Sequence, residues 1–189
     1  MVGATRSGGR HALRGASMIE VLVTMVIIAF GLLGMAGLQM RMQTSEMESY
    51  QRSQALLLLN DMANRIAANR NNAASYLTGA TALGAGMDCP TATTTTVQQD
   101  LRQWCEGLKG AAEMSGTDKV GAMVGGRGCV QSAGGDYLVT VVWQGLTPIS
   151  APPASVACGL NAFNGPTGSP CSNDRCRRAV TTVVRIATL

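Results

Sequence analysis

Histidine is almost missing from this sequence: His11 is the only one among 189 residues, and it lies in a basic stretch ahead of a long apolar run. Without a downstream histidine, the common Ser-His and Cys-His nucleophile arrangements are unavailable. Aromatic residues make up only 4% and charged residues 14% of the chain, so neither an aromatic-rich core nor a cationic stripe interleaved with aromatics can be built. Binding of nucleic acid needs clustered cations, and that class is set aside. The formal net charge of +4 misleads. Three of the 15 basic residues, Arg6, Arg10 and Arg14, precede the apolar run, and the remaining 12 face 11 acidic ones. Arg175, Arg177 and Arg178 read as a solvated strand edge. Asp118, Asp136 and Asp174 sit in turn-like contexts and read as turn formers, not as an acid/base pair. The expectation is therefore no enzyme, no catalytic residue, no cofactor and no metal. The length suits one globular domain with an accessory segment.

Proline is also missing between Ala16 and Tyr76. What stands there instead is an uncharged run of eighteen residues, Val21 to Leu38 (VLVTMVIIAFGLLGMAGL), about 27 Å long as a helix and able to cross a bilayer. The three arginines before it, with Glu46 and Glu48 after it, place the N-terminus in the cytoplasm and the bulk of the chain outside. A cleaved secretory signal could be read with Ala36-Gly37-Leu38 as its end. Glu20 stands against that reading, because a carboxylate at the start of an apolar segment is costly and usually functional.

The stretch Arg14-Gly15-Ala16-Ser17-Met18-Ile19-Glu20-Val21-Leu22-Val23 resembles the processing site of type IV prepilins. In that family a dedicated prepilin peptidase cuts after the Gly and methylates the new N-terminal residue, which leaves a Glu fifth in the mature chain. The resemblance makes Gly15 the residue before the cut, Ala16 the new N-terminus and Glu20 the buried acid used in assembly. The family most often has Phe where this chain has Ala16, so the resemblance implies cleavage more directly than methylation. The continuation Phe30 to Gln39 (FGLLGMAGLQ) and Leu57 to Ile66 (LLLNDMANRI) is similar to the PilV family of type IV pilus modification proteins, which are minor pilins, and to minor pseudopilins of type II secretion.

The resemblance implies an α+β, type IV pilin-like fold: a long N-terminal helical spine and a C-terminal antiparallel β-sheet domain. Its parts are a removed leader over 1–15, a transmembrane half over 16–38, an amphipathic half over 39–76 and a globular periplasmic domain over 77–189. The partners it implies are the prepilin peptidase, other minor pilins, the major pilin and the inner-membrane assembly platform. The location it implies is single-pass in the inner membrane, then in the pilus at the cell surface. The rival from another class is a periplasmic binding domain on a single-pass anchor, which leaves Glu20 unexplained.

In the amphipathic half, Met47, Tyr50, Gln54, Leu58, Met62 and Ile66 recur at steps of three or four and predict the covered face. Asn69-Arg70-Asn71-Asn72 predicts the stop. Gly31, Gly34 and Gly37 admit two readings. They allow close helix packing in lipid, or they soften the helix by roughly 1 kcal/mol each relative to Ala.

All six cysteines, Cys89, Cys105, Cys129, Cys158, Cys171 and Cys176, follow the apolar run. An even count without C-x-x-C knuckles points to disulfides and an oxidising compartment, with about fifteen pairings open. Cys171 and Cys176 enclose Ser172, Asn173 and Asp174, which favour a turn, although Cys158 could serve either. Thr91 to Thr96 reads as a loop and as a candidate for O-glycosylation. Thr96 with Gln99 then forms a capping-box pattern. A short helix follows, with Val97, Leu101, Trp104, Cys105 and Leu108 on one face and Trp104 in the core. Gly110 to Gly135 reads as loop; its Gly125-Gly126-Arg127-Gly128 lacks the flanking strand and Lys-Ser/Thr of a phosphate cradle. Tyr137 to Trp143 and Ala179 to Thr188 are the two predicted strands, with prolines confining the segment between them to loop.

Overall fold

The computed structural model describes residues 17–110, 114–116, 118–119 and 123–186. The chain divides into two compact units that part between Gln43 and Thr44. Helix α1 (Met18–Ala68) is unbroken over 51 residues, as a stretch without proline and rich in Leu, Met and Ala should be. It is long and apolar enough to cross a membrane. In the first unit every described residue is exposed.

Among its described residues the second unit holds the rest of α1, a 3-10 segment (Arg70–Tyr76), helix α2 (Thr96–Leu108) and six strands. The strands are β1 (Leu83–Gly84), β2 (Met114–Ser115), β3 (Asp118–Lys119), β4 (Arg127–Ala133), β5 (Asp136–Gln144) and β6 (Arg177–Val184). β2 and β3 pair with each other, while the main sheet is antiparallel in the order β1-β4-β5-β6. This is the expected type IV pilin-like architecture, a long apolar N-terminal helix followed by a C-terminal antiparallel sheet.

The two strands predicted from sequence are β5 and β6, with β6 beginning two residues earlier, at Arg177. β6 stops at Val184, short of the expected end at Thr188: Arg185 and Ile186 are not strand, and residues 187–188 lie outside the described residues. The region Gly110 to Gly135, expected to be rich in loop, holds the two-residue strands β2 and β3 and also the seven-residue β4, which was not expected. β4 escapes sequence reasoning because its pairing with β5, from Arg127↔Val142 to Ala133↔Asp136, supplies what its own propensity does not. Gly134 and Gly135, both at positive φ, make the two-residue turn between them.

One face of the sheet carries the main core. Val130, Val139, Val141, Trp143 and Val184 meet Ala55, Leu59, Met62 and Ile66 of α1 and Val97, Trp104 and Leu108 of α2. The buried positions of α1 are Gln51, Ala55, Leu59, Met62 and Ile66. The predicted stripe is therefore rotated: its last two members are buried, Gln54 and Leu58 are half-buried, and Leu58 packs against the core. Met47 and Tyr50 are exposed. The reason is that α1 has two neighbours, the sheet and α2. Leu58 turns toward α2, where its carbonyl accepts the Trp104 indole N–H at 2.9 Å and its side chain abuts Gly107. Small Ala55 faces the core, and a count of large apolar residues alone misses it.

α1 stops at Ala68 and Asn69 leaves helical geometry, as the asparagine cluster predicts, but the next seven residues continue as 3-10. α2 begins one residue earlier than the sequence pattern places it. The cap is Thr95, whose hydroxyl accepts the Gln98 N–H at 3.3 Å while the Gln98 side chain accepts from Thr95 N–H. Gln99, the expected partner, instead reaches the Thr93 carbonyl. The predicted inner face of α2 is found, with Trp104 nearly inaccessible.

The sheet's other face is covered by the irregular segment between β5 and β6, where Cys129, Val142, Cys158 and Phe163 pack together. Trp104 reaches the sheet only because residue 128 is glycine: a Cβ there would lie 2.3 Å from the ring. Gly128→Ala is expected to destabilise the fold by about 1–3 kcal/mol, the usual cost of overpacking a filled core. Urea denaturation would measure it, and an unchanged midpoint would contradict this packing account.

Candidate functional site

The first turn of α1 is closed by Ser17. Its carbonyl accepts the N–H groups of Glu20 and Val21 at 3.0 and 3.2 Å, and its hydroxyl accepts the Glu20 N–H at 3.3 Å. Ser17-Met18-Ile19-Glu20 is thus an S-x-x-E helix start, a local signal that the reading of Glu20 as purely functional missed. Glu20 occupies the third helical position, where the positive end of the helix dipole favours an anion. Its carboxylate is exposed and makes no hydrogen bond or ion pair among the described residues. Gly15 and Ala16 lie outside the described residues. Gly31, Gly34 and Gly37 sit in unbroken helix, and a Cβ added at any of them would meet nothing within 4 Å.

The second unit binds its charges to itself. Glu48 accepts from the Leu146 N–H at 3.2 Å, the Thr147 hydroxyl at 3.4 Å and Arg178 at 3.2 Å. Arg177 is 1% exposed, pairs with buried Asp174 at 3.2 Å and donates to the carbonyls of Val156 and Cys158. The solvated edge expected for Arg175, Arg177 and Arg178 is therefore overturned for the last two. Each finds a carboxylate that sequence spacing alone did not assign to it. Asp174 does form a turn, at φ 58°, and in addition accepts the Asn161 N–H and neutralises Arg177.

The cysteines pair as Cys89–Cys105, Cys129–Cys158 and Cys171–Cys176. The first ties the Thr-rich loop to α2, the second ties β4 to the segment covering it, and the third closes the local turn. Among the described residues no cluster of His, Cys, Asp and Glu could hold a metal ion.

Residues 37–113 match the Tt1218-like family model, described as type IV pilin Tt1218. The matched stretch runs from within α1 past the end of α2 and leaves β4, β5 and β6 outside. No curated protein and no solved structure matches the chain. The family match and the fold together support a type IV pilin.

Within the pilin-like stretch a polar clasp fixes the end of α1 to α2. Arg65 holds Asp61 at 2.9 Å, Asp100 at 2.7 Å and Gln103 at 2.8 Å. The Tyr76 hydroxyl donates to the other oxygen of Asp100 and accepts from Asn69. Burial opposes the charge on Arg65, but its hydrogen bonds to Asp61 and Asp100 outweigh that and hold the guanidinium above its ordinary range. Burial, and then the bond to Asp100, push the Tyr76 phenol above its usual value of about 10. A phenol held protonated in the folded state stabilises it fully below pH 10. That contribution is lost as pH rises toward the folded value, because the unfolded chain ionises first. Stability should therefore fall above about pH 10, and Tyr76→Phe should flatten that decline. Denaturant midpoints measured from pH 8 to 11 test this, and equal slopes for both proteins would refute it.

Proposed function

We propose that this chain is a minor pilin of a type IV pilus, made as a precursor and trimmed after Gly15 by the prepilin peptidase. The observation that carries the reading is the Glu20 carboxylate. Among the described residues it stands unpaired, in the first turn of a helix whose apolar surface is uncovered through the first unit. Such a surface calls for lipid or other helices around it, and a charge at its start calls for a cation once water is gone. Cleavage before Ala16 would create that cation as a new α-amino group.

On this reading α1 first anchors the subunit in the inner membrane, with Arg6, Arg10 and Arg14 in the cytoplasm and the disulfide-bonded unit in the periplasm. It then packs beside other minor pilins and the major pilin on the assembly platform, which leads the subunit into the pilus or its tip. Gly31, Gly34 and Gly37 are the soft part of that helix or the points where a neighbour approaches it closely. The empty space around each one suits both roles. Methylation of Ala16 belongs to the same processing step.

Mass spectrometry of the mature N-terminus is the test. A first residue of Ala16, carrying a methyl group if the second activity acts, is expected. Replacing Gly15 by a bulky residue should leave the precursor uncut. An intact leader in the wild-type protein, or a cut near Gly37, would contradict the proposal.

A further inference from the structure

The threonine tract after Pro90 is larger than its structural work requires. From Thr91 to Thr96 every residue is exposed, and the chain is irregular until α2 begins at Thr96. Two of the threonines have structural employment. Thr95 caps α2 with its hydroxyl, and the Thr94 hydroxyl donates to Gln98 at 2.7 Å. The hydroxyls of Thr91 and Thr93 make no hydrogen bond among the described residues. Their backbone is nevertheless held in place. Cys89 is bonded to Cys105 of α2 just before the tract, and the Gln99 side-chain amide donates to the Thr93 carbonyl at 2.9 Å. The result is a short irregular segment, held at both ends, that offers two secondary hydroxyls without a hydrogen bond among the described residues, beside a proline and an alanine.

Threonine is a costly choice for a merely solvated loop, since Ser, Gly or Asn would supply turn chemistry with less β-branched constraint. A Thr-rich exposed run next to Pro is the composition of O-glycosylated segments. We propose that Thr91 and Thr93 are acceptor sites for an O-linked glycan. The co-substrate is a sugar activated as a pyrophosphate ester, and the catalyst is a glycosyltransferase acting on the exported domain. The threonine oxygen attacks the anomeric carbon and a C–O glycosidic bond forms. The bond from that carbon to the phosphate oxygen breaks, the hydroxyl proton passes to the transferase, and the pyrophosphate leaves with its carrier. No residue of this chain takes part in the chemistry beyond presenting the hydroxyls. The site depends on export of the second unit, not on its assembly into a pilus.

The test is a peptide map of the full-length protein recovered from the cells that make it. Trypsin should release residues 71–102 after reduction of the Cys89–Cys105 bond. The major form of that peptide should carry a sugar mass, and fragmentation that preserves side-chain modifications should place it on Thr91 or Thr93. Thr91→Val with Thr93→Val should remove the added mass, whereas Thr94→Ser with Thr95→Ser should keep it. A bare wild-type peptide, or a mass that survives the double valine variant, overturns the inference. If that peptide is bare, and an unreduced digest shows it joined through Cys89 to Cys105 in residues 103–109, the exported pilin reading stands while the glycan site falls.

Discussion

An uncovered apolar helix governs this molecule. Between Met18 and Gln43 no side chain is buried, although Leu, Ile, Val, Met and Phe dominate the stretch. Each such side chain left in water forgoes about 1.5–3 kcal/mol. A pure solvent environment does not supply that cover. Lipid or neighbouring helices would do so, which fits a membrane-anchored pilin. The Ser17 cap and the Glu20 carboxylate open that helix. They put the one acidic residue of the stretch from Met18 to Gln43 where the dipole tolerates it and where a partner can still reach it.

The second unit answers a different constraint. With few aromatics, its core depends on one well-placed tryptophan, on β-branched strands and on covalent closure. Trp104 is seated between α1 and β4 because Leu58 offers a carbonyl and Gly128 offers space. The three disulfides each join an irregular segment to something regular or to itself. In a chain-entropy account such a bridge is worth about 2–4 kcal/mol. The buried ion pair Arg177–Asp174 and the Arg65 clasp complete the closure with paired charges, which satisfies groups that would otherwise be expensive to bury.

How much of this was legible in the sequence depended on whether the signal was local. The apolar helix, its stop at the asparagine cluster, the inner face of α2, strands β5 and β6, and the turn between Cys171 and Cys176 all follow from short-range pattern. β4 did not, because a glycine-rich strand is specified by its neighbour's register and by the Trp104 ring above Gly128. The covered face of α1 was misjudged by a fraction of a turn, since two packing partners widened the buried arc and brought Ala55 inward. Arg177 and Arg178 read as surface charges because their partners, Asp174 and Glu48, become evident only after folding, the second from 130 residues away. Ser17 is a local signal, since with Glu20 three residues on it marks a helix start beside the functional reading of Glu20. The two readings are compatible, since the cap employs the Glu20 backbone and leaves the carboxylate free.

On the proposed reading the Glu20 carboxylate works in assembly, by meeting the amino group that cleavage before Ala16 would create. Its most direct test is the level of Glu20→Ala subunits in purified pili, set beside their level in the inner membrane and the mass of their N-terminus. The account predicts normal insertion and normal cleavage after Gly15, with incorporation into the filament strongly reduced. Glu20→Ala subunits entering the pilus at the wild-type level would contradict it.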